Sequence, residues 1–598
     1  MGKDSVAWLL LGAAFIGLSA PASAKFVGRV IGLHDGQPVL QAMVTLSMPS
    51  GTAGPAAITV FTDDEGRFTF EDAKAAPAPG AGLAADKLGF RQVKGASGAQ
   101  AGGETTLFLE PTANIASQAP ASAWFARAPA GTGRNVTIAS CSSCHQTGSP
   151  KMRDYAAKID AVRGGPDGDR RALEEWRKVV RHEAWRTIVK YMRTQHYSVL
   201  PIESAMNLNA IDWPTAIDAN LNFFTENQGE TIAQYLAGNF HGAMDQLSVD
   251  DYSLGAPLGV TARTTIREYP FPDDALVREL VPSPADPFLW GADVRRNLLA
   301  RLDPRTGVTK WYPVDFKGST GPHTIVPDDT GHLWISMVDN DQFGRFDPKT
   351  ESWKLWTLRP GNLPTDPSLA GAAIVHDMSI DSRGHLARDQ AGRIWVTLVG
   401  TNQMGSLHPD SGEVSFYDTN TINGLSPINH LIYSTVLSED GRYAWYSQVN
   451  GHVGCFDTQT NTVTKLVEFT EGTGPRRMMR DNAGRLWVAL FGTGQVASID
   501  MRAGRVLRTY DLPDRASAPY AVTWDERRKT VWVATANSDS IYRLDPDSGD
   551  VTVYPLPRKM AFLRQIAVHP HTGQLVATYG NYPAGSGPSM GLLIDVGD

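Results

Sequence analysis

Three cysteines occur in the 598 residues, and two of them stand in Cys141-Ser142-Ser143-Cys144-His145. Two thiols at this spacing can each add to a vinyl group of a haem, and the imidazole that follows is delivered to the iron as its proximal ligand. A CxxC pair also serves as a redox dithiol or as half of a zinc site. Here no second CxxC completes a zinc centre, and the adjacent His favours haem. The sequence therefore predicts one covalent c-type haem on Cys141 and Cys144, with His145 on the iron. Cys455 lies in a strand-like segment and reads as a small buried apolar residue.

A soft thioether or a second imidazole would fill the sixth position on the iron. Met152, His182, Met192, His196 and Met206 all follow the motif. Met152 sits very close to the attachment site, and His182 falls on a helix where an imidazole can simply be solvated. Met192, at the end of that helix, is the first choice as distal ligand, and Met206, on the later loop, is the alternative. Each Met has core packing as its competing role.

These residues need a frame, and the chain is long enough for two or three domains. Apolar residues make up 42% and charged residues 20%, with a net charge of −8. That composition suits a soluble globular protein and offers no basic stripe for nucleic acid. Residues 1–24 read as a signal peptide: Lys3, an apolar run from Val6 to Leu18, then Ala22-Ser23-Ala24. The run is shorter than the roughly 20 residues a spanning helix needs. A periplasmic or secreted location with a mature start at Lys25 is the expectation, in a compartment where thiols without a disulfide framework have another use.

Residues 25–112 read as a β-domain, with alternation in Ala42-Met43-Val44-Thr45-Leu46 and a hairpin-like turn at Glu65-Gly66. With Lys87-Leu88-Gly89-Phe90 they resemble the carboxypeptidase regulatory-like domain, which implies a β-sandwich that spaces or docks. Residues 124–245 turn helical. Trp176, Val179, Val180, Trp185, Ile188 and Val189 recur at three- and four-residue spacing and predict one apolar face. A haem motif followed by a middle helix and a final helix with an aromatic resembles a cytochrome c domain.

Residues 262–598 are an internal repeat. Apolar-Trp strands begin at Leu289-Trp290, Leu333-Trp334, Ile394-Trp395, Ala444-Trp445, Leu486-Trp487 and Val531-Trp532, and several copies run on to an Asp-Pro turn such as Asp303-Pro304. The period is that of propeller blades of four strands. A seventh copy at Gln574-Leu575-Val576 would take its outer strand from Thr265-Ile266-Arg267-Glu268-Tyr269-Pro270 and so close the ring. The expected fold is thus multidomain and mainly β: a sandwich, a small helical haem domain and a seven-bladed β-propeller.

Gly321-Pro322-His323-Thr324-Ile325 and Thr330-Gly331-His332-Leu333-Trp334 resemble the virginiamycin B lyase (streptogramin lyase) family, over essentially the whole C-terminal half. The resemblance implies a propeller whose inner-loop histidine and nearby acids open an ester-linked ring by metal-assisted elimination. Only His323 matches that family's Pro-His-x-Ile. His376, His430, Arg476, Tyr520 and Arg564 stand in roughly the same place in other copies, and the acid three residues after Trp survives only as Asp293. His323, His376, His430, Arg476 and Tyr520 are the candidate catalytic set, able to bind an anionic or phenolic ligand at the propeller mouth.

Three functions stay open: a haem-dependent oxidoreductase or electron-transfer protein whose propeller binds the donor, a propeller lyase with an accessory cytochrome, and a non-enzymatic scaffold. The partners expected are a soluble or membrane redox protein and a small molecule at the mouth. A quinone-type cofactor or a divalent metal in the propeller has only fold analogy behind it.

Overall fold

The structure is a computed structural model. It describes residues 25–71, 82–99, 105–143, 145–162, 164–165, 169–194, 225–253, 263–314, 320–361, 373–419, 431–580 and 589–597. The proposed signal segment, Cys144, His196, Met206 and His430 lie outside the described residues.

The first part is two facing sheets. Arg67–Phe70, Phe26–Gly32, Thr105–Pro111 and Phe90–Ala99 form one, and Gly82–Asp86, Met43–Ser47 and Ala57–Phe61 lie in the other. In Phe26–Gly32 every second residue is buried, as a strand with one face on a core requires. Val30, Val44, Leu46, Phe68, Phe70, Leu107 and Leu109 fill the space between. The Glu65-Gly66 turn does not close a hairpin, because Ala57–Phe61 and Arg67–Phe70 belong to different sheets. Asp63 shapes it as a corner, its Oδ1 accepting from the amides of Glu65 and Arg67.

Among the described residues five helices follow: α1 (Ala123–Ala126), α2 (Thr132–Cys141), α3 (Pro150–Asp160), α4 (Arg170–Thr194) and α5 (Glu226–Asn239). A capping box of Thr225 and Gln228 starts α5. Helices α2 and α5 cross closely because Gly133 lies under the ring of Tyr235, where an added Cβ would be 3.0 Å from Cδ2. Trp185 and Val189 of α4 are buried as the spacing predicts, but Val179 is 61% exposed. The apolar face continues through Ala184 and Ile188, which pack on the core. Among the described residues no helix is long and apolar enough to cross a membrane.

The C-terminal half is built of four-stranded antiparallel sheets laid down in chain order. Their first strands are Val277–Pro282, Pro322–Pro327, Val375–Met378, Ile432–Leu437, Pro475–Arg480 and Pro519–Asp525. A further sheet holds Ile566–Val568, Leu575–Tyr579 and Met590–Asp595, and its fourth strand is Thr265–Pro270, antiparallel to Met590–Asp595 with Met590 opposite Pro270 and Asp595 opposite Thr265. Each first strand lies beside the next, and Ile566–Val568 returns to Val277–Pro282. The opposite edge of Thr265–Pro270 pairs with Ala57–Phe61, so the three-stranded sheet of the N-terminal sandwich and the four strands of this last sheet form one seven-stranded sheet.

The repeated Trp is fully buried in all six copies. The indole N–H of Trp334, Trp395, Trp487 and Trp532 donates to Asp328, Asp389, Asp481 and Asp525 respectively. In Asp389-x-x-Gly392-Arg393-Ile394-Trp395 the same carboxylate also accepts from the backbone N–H of Arg393, so one residue fixes both turn and core.

Candidate functional site

The second residue of each first strand points to the axis around which these sheets are arranged. Those residues are Arg278, His323, His376, Tyr433, Arg476 and Tyr520, and Arg564 just before Ile566–Val568 completes the set; all seven are buried. The register follows from the strands themselves: Pro322-His323, Val375-His376, Ile432-Tyr433, Pro475-Arg476 and Pro519-Tyr520 start in the same way. Four of the five candidates from sequence are therefore brought together. The fourth place in the ring is held by Tyr433; His430, the candidate from that copy, lies outside the described residues.

Neighbouring ring members touch. His323 and His376 have centroids 4.5 Å apart, His376 and Tyr433 4.2 Å, and the Arg476 guanidinium lies 4.7 Å from the rings of Tyr433 and Phe491. The hydroxyls of Tyr433 and Tyr520 are hydrogen-bonded. Burial would raise the Tyr520 phenol, but the charges of Arg564, Arg278 and Arg476 outweigh it and bring it down to about 8.

Both imidazoles are neutral. Burial, and next the charges of Arg278 for His323 and Arg477 for His376, holds each well below the usual histidine range. His376 Nδ1 donates to the Tyr433 carbonyl at 2.9 Å. His323 Nδ1 donates to Thr324 Oγ1 at 3.1 Å, since that hydroxyl already donates to Glu279. Each Nε2 is thus a lone pair, and neither has a hydrogen-bond partner.

This has a consequence for acid stability. Unfolded histidine takes up its proton near pH 6.5, whereas these two remain neutral in the fold, so below that pH the unfolded chain binds more protons and stability falls. The contribution is complete above pH 6.5 and is lost on acidification at about 1.4 kcal/mol per pH unit for each histidine. Denaturant unfolding at pH 7, 6 and 5 will show a shallower loss in His323→Gln/His376→Gln than in the wild type.

One step further along the axis lies a second charged layer. Arg477 pairs with Glu279, stands 3.7 Å from Asp377 and donates to Thr324 Oγ1 at 2.9 Å. Burial raises the carboxyl groups of Glu279 and Asp377 above their ordinary range. For Arg477 burial works downward, but the two carboxylates overcome it and its pKa is raised. A cavity of ≈ 60 Å³ beside these residues is also lined by Ser434 and Gln565. Sequence reasoning missed Arg278, Tyr433 and this layer. The signal was the shared strand start, since Glu279, Thr324, Asp377, Ser434 and Arg477 each stand third.

The end of α2 and Ser143 sit on this ring. Cys141 ends α2 and is half-buried. Arg476 Nη2 donates to the Ala139 carbonyl at 3.1 Å and to Ser143 Oγ, and Arg564 Nη2 donates to the Ser143 carbonyl at 3.4 Å. Gln146 Nε2 donates to Asp539 at 3.0 Å. One apolar cluster joins Val136, Ile138, Ile232 and Leu236 of the helices to Val338, Val399, Leu431, Phe491 and Phe562 around the ring.

The chain conformation fits a proximal haem ligand. His145 Nδ1 donates to the Gln146 carbonyl at 3.3 Å, and burial lowers the imidazole pKa, so Nε2 carries the lone pair. An imidazole that ligates iron is held in this way, its other N–H on a carbonyl. Of the sixth-ligand candidates, Met152 Sδ accepts from the Gly148 amide at 3.2 Å and His182 Nε2 is 2.8 Å from Glu230 Oε1. Met192 is on the last turns of α4 and 39% exposed. Cys455 is buried in His452–Asp457 with its thiol pushed up to about 11 by burial, as an inert core residue should be. His569 and His571 share a turn, the amide of His571 donating to His569 Nδ1.

The close seating depends on a missing side chain at Gly492. A Cβ there would fall 1.9 Å from the Gly472 carbonyl oxygen and 2.7 Å from that of Asn135 on α2. Gly492→Ala is expected to cost about 1–3 kcal/mol by overpacking. It should also speed proteolysis between residues 112 and 262, which a timed digest will measure.

Residues 283–523 match the family model described as the SMP-30/gluconolactonase/LRE-like region. The C-terminal half is a propeller-like domain. It is similar to a catalytically inactive virginiamycin B lyase from Staphylococcus aureus solved with quinupristin, at 16% identity and a TM-score of 0.45, over 55% of this chain and 99% of that one. A streptogramin B lyase structure gives 16% identity, a TM-score of 0.44 and coverage of 56% and 97%. An uncharacterized protein of Sulfolobus acidocaldarius is 26% identical over 174 residues, 27% of this chain and 58% of that relative's length.

Proposed function

We propose that this chain is a periplasmic or secreted c-type haem protein of electron transfer, in which a closed seven-bladed propeller binds the electron donor or partner. Cys141 and Cys144 would hold the haem and His145 its iron, and the group would supply reversible one-electron chemistry when bound. The observation that carries the reading is the seating of the end of α2 and Ser143 on the buried ring, where Arg476 and Arg564 hold Ala139 and Ser143. The His145 tautomer and the close α2–α5 crossing support a cytochrome c domain. Met192, with Met206 as the alternative, is the proposed distal ligand, and the N-terminal sandwich is proposed to be of carboxypeptidase regulatory-like type.

The test is reduction of an artificial electron acceptor by the haem-loaded chain. Replacing His145 should abolish that activity, and the reading fails if the rate is unchanged. A second reading, a lyase of streptogramin type, is favoured by the family match over 283–523 and by His323 in its Pro-His-x-Ile setting. Among the described residues no three His, Cys, Asp or Glu side chains are gathered to hold a metal, and no step through one is derived. Opening of quinupristin that is lost in His323→Ala but kept in a His145 variant would establish the lyase instead.

A further inference from the structure

The axis of the propeller-like domain gathers four buried arginines. Arg278, Arg476, Arg477 and Arg564 are all buried there, against Glu279 and Asp377. Buried charge of one sign needs a counter-ion, because the protein interior solvates it poorly. Arg477 takes up both carboxylates. Arg476 is left with backbone and hydroxyl partners on Nη2 alone, and its Nε and Nη1 are buried without a hydrogen bond.

We propose that this ring is a carboxylate-binding site centred on Arg476, filled by a propionate of a haem attached at Cys141 and Cys144 or by a small free carboxylate. A guanidinium with two N–H groups to spare is the partner a carboxylate recognises best. The position also suits the first source, since Arg476 holds Ser143 between the two attachment cysteines. The same arginines act on Tyr520, whose phenol they bring down to about 8 in spite of its burial. Only the propionate source rests on the haem reading. The site itself does not.

The experiment uses acetate on two full-length proteins: the haem-loaded wild type and a haem-free Cys141→Ala/Cys144→Ala variant. Calorimetry should show acetate binding to the haem-free chain, weakened at least tenfold by Arg476→Met. If the haem-loaded protein no longer binds acetate, a propionate occupies the ring. Arg476→Met should then shift the haem redox equilibrium tenfold toward the oxidised form, 59 mV for one electron. If the haem-loaded protein binds acetate equally well, the occupant is a free carboxylate. Should Arg476→Met not fold, a readout without any change at Arg476 remains: acetate should move the near-pH-8 phenol titration, assigned with Tyr520→Phe, to higher pH in the haem-free chain. A haem-free chain that gives neither acetate heat nor a Tyr520 shift overturns the site. A negative pyridine haemochrome removes only the propionate source.

Discussion

Matured alongside the haem-attachment machinery, the full chain will give a c-type pyridine haemochrome, and Cys141→Ala/Cys144→Ala will give none. The effect is all or nothing, because thioether bonds survive denaturation and only the two thiols can make them. His145→Ala separates attachment from ligation: the haem remains covalent, but the iron loses its proximal nitrogen and electron transfer stops. A sulfur-to-iron charge-transfer band in the oxidised protein will identify Met as the sixth ligand, and its loss in Met192→Ala but not in Met206→Ala will assign it. A colourless protein from such cells would remove the haem reading altogether.

Glu279→Leu should lower stability by about 3–5 kcal/mol, the cost of leaving a buried cation without its partner. Arg477 would lose its closest carboxylate and keep only Asp377 at 3.7 Å and the Thr324 hydroxyl. Glu279 also accepts from the Ile325 amide at 3.2 Å, so the same substitution orphans a backbone donor. Glu279→Leu/Arg477→Met should recover most of the loss, since exchanging a buried pair for apolar groups of similar size is often neutral. Denaturant midpoints of the two single variants and the double variant measure this directly. Equal losses in Glu279→Leu and the double variant would show that the pair is not coupled.

The haem reading of the Cys-x-x-Cys-His motif could be made from sequence because the proposed chemistry is local, confined to five consecutive residues. The repeat was legible because each copy carries its own Trp and turn, and in four copies the acid that bonds the indole stands only six or seven residues before it. What the sequence hid is set by distance along the chain. Arg477 and Glu279 are 198 positions apart, and Arg476 and Ser143 are 333. Tyr433 was not singled out because the segments joining the sheets differ in length, so counting from one Trp to the next does not fix where a strand begins. The Glu65-Gly66 turn misled because a corner between two sheets and a hairpin use the same turn residues.

The strand Thr265–Pro270 gives the domain an order of assembly. It is synthesised more than three hundred residues before its partner Met590–Asp595, yet Ala57–Phe61 is already made and pairs with its other edge. The N-terminal sandwich can therefore act as a template, holding that strand in register until Met590–Asp595 docks against it. Closure of the ring is then the final and slowest event of folding, as a contact of such long sequence separation should be.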